Sequence, residues 1–239
     1  RIKKQIINNY KSDLLLLYED LTSYELNSIL GLRVEDPSEQ IFTKQAKTDS
    51  INLAQKSICN MIDNGYLTEL ESISASVAVD GDGKVSFSTA SIDPLRGGIT
   101  AIYDNTNSKF CNMIEPKDVK RLENTYLDGT TKNPVAYVFQ GTIYVKPISV
   151  TSIDIWYLKQ PTDFIYNQDN SSSAGMLYDC ELNPALQELV LDFAESQLWR
   201  MDAKSDRAQL SYNNALNTIK VLNERYQFEK PSGVGTQGR

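Results

Sequence analysis

Six residues late in the chain, Ala208, Tyr212, Ala215, Ile219, Leu222 and Tyr226, follow one another at intervals of 4, 3, 4, 3 and 4. That spacing draws one seam along an α-helix for nearly three heptads, and such a seam needs a second helix to cover it. The segment Pro184 to Met201 is the nearest candidate, folded back as an antiparallel hairpin. Asn183 suits its N-cap, and Pro184 takes the first helical position, where a missing N–H costs nothing. Leu186, Leu189, Val190, Phe193, Gln197 and Met201 share one side of this helix. At about 100° per residue, Glu188, Asp192 and Glu195 fall on the other. The predicted packing residues of the pair are Leu186, Leu189, Phe193, Tyr212, Ile219 and Leu222. Asp206, with Gln209 three residues on, has the form of a capping box for the last helix.

The first 70 or so residues repeat the helical period. Ser12 is placed to cap a segment running to about Leu30, with Leu14, Leu17, Tyr18, Leu21 and Leu26 as its apolar face and Gly31 as its stop. Past Asp36, Pro37 and Ser38, the residues Thr48, Asp49 and Ser50 offer caps to a second helix. Its face reads Ile51, Ala54, Ile58, Met61 and Ile62, and Gly65 is placed to end it.

From about Ile73 to Leu158 the period falls to two, and β-branched and aromatic residues accumulate. Val77 and Val79, then Asp80-Gly81-Asp82-Gly83, then Val85 and Phe87 predict one hairpin. Ala136 to Phe139, Gln140-Gly141, and Thr142 to Val145 predict another, closed by Pro147. A further strand runs from Ile153 to Leu158. The fold class is therefore α+β, with N-terminal helices over 1–70, a mainly antiparallel β region over 71–180, a helical hairpin over 181–229 and a flexible tail over 230–239. The assembly this suggests is a helical bundle from the N- and C-terminal helices with an inserted antiparallel β region.

Composition and chemistry narrow the function. With 239 residues, a chain buries roughly 70 to 75% of its unfolded surface and needs no staples. Thirty-one acidic against 24 basic residues give a net charge of −7, which disfavours sequence-independent binding to phosphate backbones. The longest apolar run, around Leu14 to Leu17, is far short of the roughly 20 residues that cross a bilayer. Arg1 in place of Met predicts a truncated or processed start, and without a signal-peptide pattern the expectation is synthesis in a reducing cytoplasm.

The chain has no histidine, which removes Ser-His-Asp and Cys-His nucleophiles and nearly all catalytic zinc sites. Cys59, Cys111 and Cys180 are widely spaced and read as buried thiols. Asp80-Gly81-Asp82-Gly83-Lys84 lacks the oxygen ligands that a calcium loop needs at Lys84 and Ser91. Arg96-Gly97-Gly98 precedes a strand, not a helix, and so makes no phosphate cradle. A glycosidase built on Glu188 or Asp192 would need a cleft with two carboxyls roughly 5 to 10 Å apart. The sequence thus predicts no enzyme, no cofactor and no metal. Tyr137, Tyr144, Trp156 and Tyr157 suit sheet packing or a protein interface.

The hairpin Ala136 to Pro147, the strand Ile153 to Pro161, the run Leu182 to Val190 and the stretch Glu195 to Ala203 with the helix through Tyr212 and Ala215 resemble the head-to-tail connector (adaptor or ring) proteins of tailed bacteriophages, crAss-like phages included. The resemblance covers roughly residues 135–226, with an echo at Ile51, Asn52 and Ala54. It implies a virion protein at the portal vertex or tail that forms a ring, commonly of twelve copies, binds the portal and neighbouring connector or tail proteins, and extends the DNA channel without sequence-specific contact. Glu188, Asp192 and Glu195 would then face the channel and repel the DNA backbone. The tail, with Lys230, Pro231, Val234 and Arg239, would dock on a neighbouring ring. The alternative within the same class is a tail-tube, tail-completion or head-decoration protein.

Overall fold

The computed structural model describes residues 23–123, 128–165 and 180–229. The fold is α+β: the described residues form four α-helices and two four-stranded sheets. They divide into two compact units, one drawn from 1–69 and 161–239, the other spanning Leu70–Gln160.

In the first unit, α1 (Ser23–Arg33) and α2 (Lys44–Met61) pack on each other and on α3 (Pro184–Met201), which pairs with α4 (Ser205–Glu229). The predicted helical stretch before Ser23, with Ser12, Leu14, Leu17, Tyr18 and Leu21, lies outside the described residues. Gly31 does not stop α1; the helix runs through it to Arg33. The stop is a left-handed residue at Glu35 (φ 58°), where Asp36 N–H donates to the Gly31 carbonyl at 2.9 Å and Glu35 N–H to that of Leu32. This is a Schellman ending, formed here without the usual glycine. The second helix likewise starts earlier than Thr48. Thr43 is its N-cap, its side chain accepting from Ala46 N–H at 3.2 Å, while the Thr48 hydroxyl sits inside the helix and accepts from Asn27 Nδ2 at 2.8 Å. It ends at Met61, and Gly65 falls in a separate 3₁₀ turn.

Two carboxamides tie distant chain to α2. Asn52 Nδ2 donates to the Phe164 carbonyl at 2.9 Å and its Oδ1 accepts from Phe164 N–H at 2.8 Å. Asn223, on α4, accepts from Asp63 N–H at 2.8 Å and donates to the Met61 carbonyl at 3.0 Å. Asn223 supplies partners for backbone groups left open at the end of α2, and Asn52 pairs both backbone groups of Phe164, each bond worth about 1 kcal/mol.

The second unit holds β1 (Glu71–Ala78), β2 (Lys84–Ser86), β3 (Pro94–Asp104), β4 (Lys109–Phe110), β5 (Asn112–Met113), β6 (Val135–Phe139), β7 (Thr142–Lys146) and β8 (Ser152–Lys159). One sheet has the order β1-β8-β3-β4 and the other β2-β7-β6-β5. All described pairs are antiparallel except β5 with β6, which is parallel. The hairpin at Gln140-Gly141 forms as its sequence predicts, with φ of 49° and 71° at the two turn residues.

The hairpin expected around Asp80 to Gly83 does not form. The tight turn is there, with Gly83 N–H donating to the Asp80 carbonyl at 3.0 Å, but β1 pairs with β8 while β2 pairs with β7. The turn is a corner carrying the chain from one sheet to the other. A second corner lies at Cys111, between β4 and β5. Both edges of each sheet therefore continue along the chain into the opposite sheet. Ile102, Ile153 and Ile155 from one sheet and Val85, Ala136, Ile143 and Val145 from the other fill the space between. Each buried Val or Ile among them contributes about 1.5–3 kcal/mol by burial.

Candidate functional site

The α3–α4 hairpin carries most of the residues that the sequence singles out. Asn183 caps α3 by accepting from Ala185 N–H at 3.0 Å, with Pro184 following as the first helical residue. Leu186, Leu189 and Phe193 on α3 and Ile219 on α4 are buried, and Tyr212 and Leu222 half-buried. Phe193 and Tyr212 meet edge to face with centroids 5.7 Å apart, and the Arg200 guanidinium lies 5.0 Å above the Tyr212 ring. Such contacts add about 0.5–1.5 kcal/mol beyond area burial.

Three details depart from the sequence pattern. Met201, on the predicted apolar side, is 65% exposed because α3 ends there. Asp206 is not a cap: α4 already begins at Ser205. The helix α4 has 25 residues against 18 in α3, so its last two turns overhang the pair by about 10 Å. The overhang meets the turn after α2, where Tyr66 donates to the Leu222 carbonyl at 3.1 Å and packs on Tyr226 at 5.6 Å.

The acidic row is not bare. Arg33, at the end of α1, binds all three members: Nη2 pairs with Glu188, Nη1 donates to Asp192 Oδ1 at 2.7 Å, and Glu195 Oε2 lies 3.7 Å from Nη1. Glu195 also accepts from Trp199 Nε1 at 3.1 Å. Side-chain exposure falls from 62% at Glu188 to 23% at Asp192 and 20% at Glu195. Burial opposes the charge on Arg33, but the attraction of Glu188 and Asp192 outweighs it and its pKa is raised. On Asp192 the balance goes the other way. Burial, with the like charges of Glu188 and Glu195, overcomes Arg33 and holds the carboxyl above its usual range.

Trp199, almost fully buried, is flanked by the Lys204 ammonium at 4.6 Å and the Arg207 guanidinium at 4.8 Å, with Phe42 against its edge. These cations hold the turn between α3 and α4. Arg33 escaped the sequence reading because nothing in its neighbours marks a cation 155 residues from its first partner. The tail residues Lys230, Pro231, Val234 and Arg239 lie outside the described residues.

In the β unit the aromatic residues separate. Tyr137 and Tyr144 stack in parallel at 4.7 Å across β6 and β7. Tyr157 packs toward the core, whereas Trp156 joins Tyr103 and Phe110, with centroids 5.1 to 6.4 Å apart. Phe110 is 62% exposed. All three cysteines are buried free thiols, and burial beside Asp104 pushes Cys111 up to about 12, where it is no nucleophile.

Among the described residues, no group of His, Cys, Asp and Glu side chains is arranged to hold a metal ion, and no helix is long and apolar enough to cross a membrane. No protein-family model matches the chain, and a search of the curated proteins finds no match.

Proposed function

We propose that this chain is a structural virion protein of a tailed bacteriophage, one that assembles as a ring between portal and tail and extends the DNA channel. In this reading the helices on either side of the β region form one bundle and the β unit is an insertion in it. The protein is synthesised in the host cytoplasm, acts without catalysis, binds the portal and its connector neighbours, and lets DNA pass without sequence-specific contact.

The observation that carries the reading is the α3–α4 hairpin, the segment in which the resemblance to connector proteins is concentrated. Its inner face is filled through Phe193 and Tyr212, while elsewhere on the hairpin Met201, Leu210 and Val221 remain 65, 64 and 61% exposed, and Leu53 on α2 54%. Large apolar side chains set along one helical unit suit burial between copies. The acidic row takes a more limited part than its sequence pattern implies. Asp192 and Glu195 serve the junction with α1, and Glu188 alone is exposed enough to face a channel.

Native mass spectrometry of the purified protein, alone and with portal particles, tests the reading. A closed ring, with twelve subunits the expected order, and a defined complex with the portal would support it. A chain that stays monomeric at tens of micromolar and ignores portal particles would sink it. Density for the chain away from the portal axis in a virion reconstruction would assign it instead to the tail tube, tail completion or head decoration.

A further inference from the structure

A groove of about 230 Å³ opens between α2, α3 and α4, with Leu53, Met61, Phe193 and Tyr212 among its walls. Its two serines have little to offer an incoming group, because Ser57 donates to the Leu53 carbonyl at 2.8 Å and Ser196 to that of Phe193 at 3.0 Å. Gln197 and Arg200 complete the lining, and no acidic residue belongs to it. Arg200 is exposed, lies over the Tyr212 ring and forms no ion pair among the described residues. On the other side of α4, about 200° around the helix from Tyr212, Leu210 stands exposed with Asp206 one turn before it. Asp206 likewise has no ion-pair partner among the described residues. Asn217 and Val221 continue that stripe, 7 and then 4 residues on.

We propose that this groove takes the Asp206–Leu210 ridge of a second copy of the chain, Leu210 entering between Leu53, Met61 and Phe193 while Asp206 pairs with Arg200. An apolar floor beside a lone cation calls for an aliphatic group with a carboxylate close by. Residues four apart on a helix, with Cβ atoms about 5–6 Å from each other, present that pair on one surface. Two unpaired charges of opposite sign meet in the contact, and such complementarity fixes the register of an interface more than its strength. Because groove and ridge lie on opposite sides of α4, a copy that fills its neighbour's groove leaves its own groove open to the next. The contact is therefore head-to-tail, and it closes into a ring or continues as a filament according to the rotation it imposes. The proposal rests on the self-assembly of the ring reading and names the two surfaces that carry it.

Sedimentation velocity of the whole chain at tens of micromolar, for wild type, Arg200→Glu, Asp206→Arg and an equimolar mixture of the two variants, tests the proposal. Each variant alone sets like charges against each other and should weaken self-association at least tenfold. In the mixture the Arg200→Glu groove meets the Asp206→Arg ridge, and the other groove and ridge are native. Association should then return to within threefold of wild type. Leu210→Ser, at an exposed position and with no change of charge, should weaken association at least threefold, and it reports on the contact even if a charge variant fails to fold. The proposal is overturned if wild type stays monomeric, if the charge variants alone associate as tightly as wild type, or if their mixture does no better than either one. Rings that persist in every variant would overturn this contact and leave the ring reading intact. Open chains that need the contact would support it and overturn the ring.

Discussion

The Arg33 guanidinium and the Asp192 carboxylate, 159 residues apart in the chain, hydrogen-bond at 2.7 Å and so fasten the end of α1 to the middle of α3. Three carboxylates share that one cation. Removing it in Arg33→Met leaves Asp192 and Glu195 partly buried beside Glu188 with no counter-charge. Full burial would cost about 3–5 kcal/mol; with a fifth of these side chains in water, the expected loss at pH 7 is about 1–3 kcal/mol by urea denaturation. The loss should shrink with acid. Asp192 already has a raised pKa in the folded chain, so the folded state takes up its proton first, and stability tied to that proton is lost as pH rises through the raised value. An Arg33→Met deficit that is as large at pH 4 as at pH 7 would contradict this account.

Asp36 has the opposite sign. Burial works against its charge, yet the amides of Phe42, Gln40 and Ile41, with Lys47 nearby, outweigh it and hold the carboxyl below its usual range. Its contribution is present above the unfolded pKa of about 3.9 and is lost as pH falls through the lower folded value. Asp36→Ala strands three amides at the turn between α1 and α2, and should cost about 2–4 kcal/mol at pH 7. The gap between wild type and variant should narrow below about pH 3. Paired urea titrations at pH 7 and pH 2.5 measure it.

Ala203 ends α3 in the left-handed region, at φ 56°, with Lys204 N–H donating to the Trp199 carbonyl at 2.9 Å and Ala203 N–H to that of Arg200 at 3.2 Å. An L-residue is strained there and glycine is not, and Ala203 is exposed, so its methyl loses little packing. Ala203→Gly should stabilise the protein by about 0.5–1 kcal/mol, and Ala203→Val should destabilise it by at least as much. Thermal unfolding of the two variants should place them on opposite sides of wild type.

These endings also explain which parts of the fold were legible in the sequence. The start of α3 was readable because Asn183 and Pro184 act through their own side chains, and the β6–β7 hairpin because Gln140-Gly141 fixes both turn and register. Gly31 misled because glycine at the end of an apolar period usually marks the stop, whereas here it admits Lys47 and the left-handed residue is Glu35 four positions on. The acidic row lies on one side of α3 as its spacing predicts, but its partner Arg33 is invisible in the sequence: ion pairs between distant elements leave no periodic trace. For the same reason the sequence does not mark Asn223, and Asn52 enters only through the resemblance, since a carboxamide that binds remote backbone looks like any surface polar residue. The residues Asp80 to Gly83 predict a turn, which forms, and a hairpin, which does not, because the local signal fixes the reversal and not which sheet receives each strand.

That corner supplies the last prediction. Gly83 has φ 76°, and a Cβ on it would meet the Val145 carbonyl oxygen at 2.5 Å, against the very strand whose Val145 N–H donates to the Gly83 carbonyl at 2.8 Å. Backbone on both sides cannot give way without opening the β2–β7 edge. Gly83→Ala should therefore cost about 2–3 kcal/mol, from left-handed strain and the displaced carbonyl together. Gly81, two residues earlier in the same turn, has nothing within 4 Å of its missing Cβ and no positive φ, so Gly81→Ala should stay within about 0.5 kcal/mol of wild type. Urea denaturation of the two variants side by side separates the requirement of the corner from any general preference of turns for glycine. Equal losses in both would mean that the contact with β7 is not what makes Gly83 necessary.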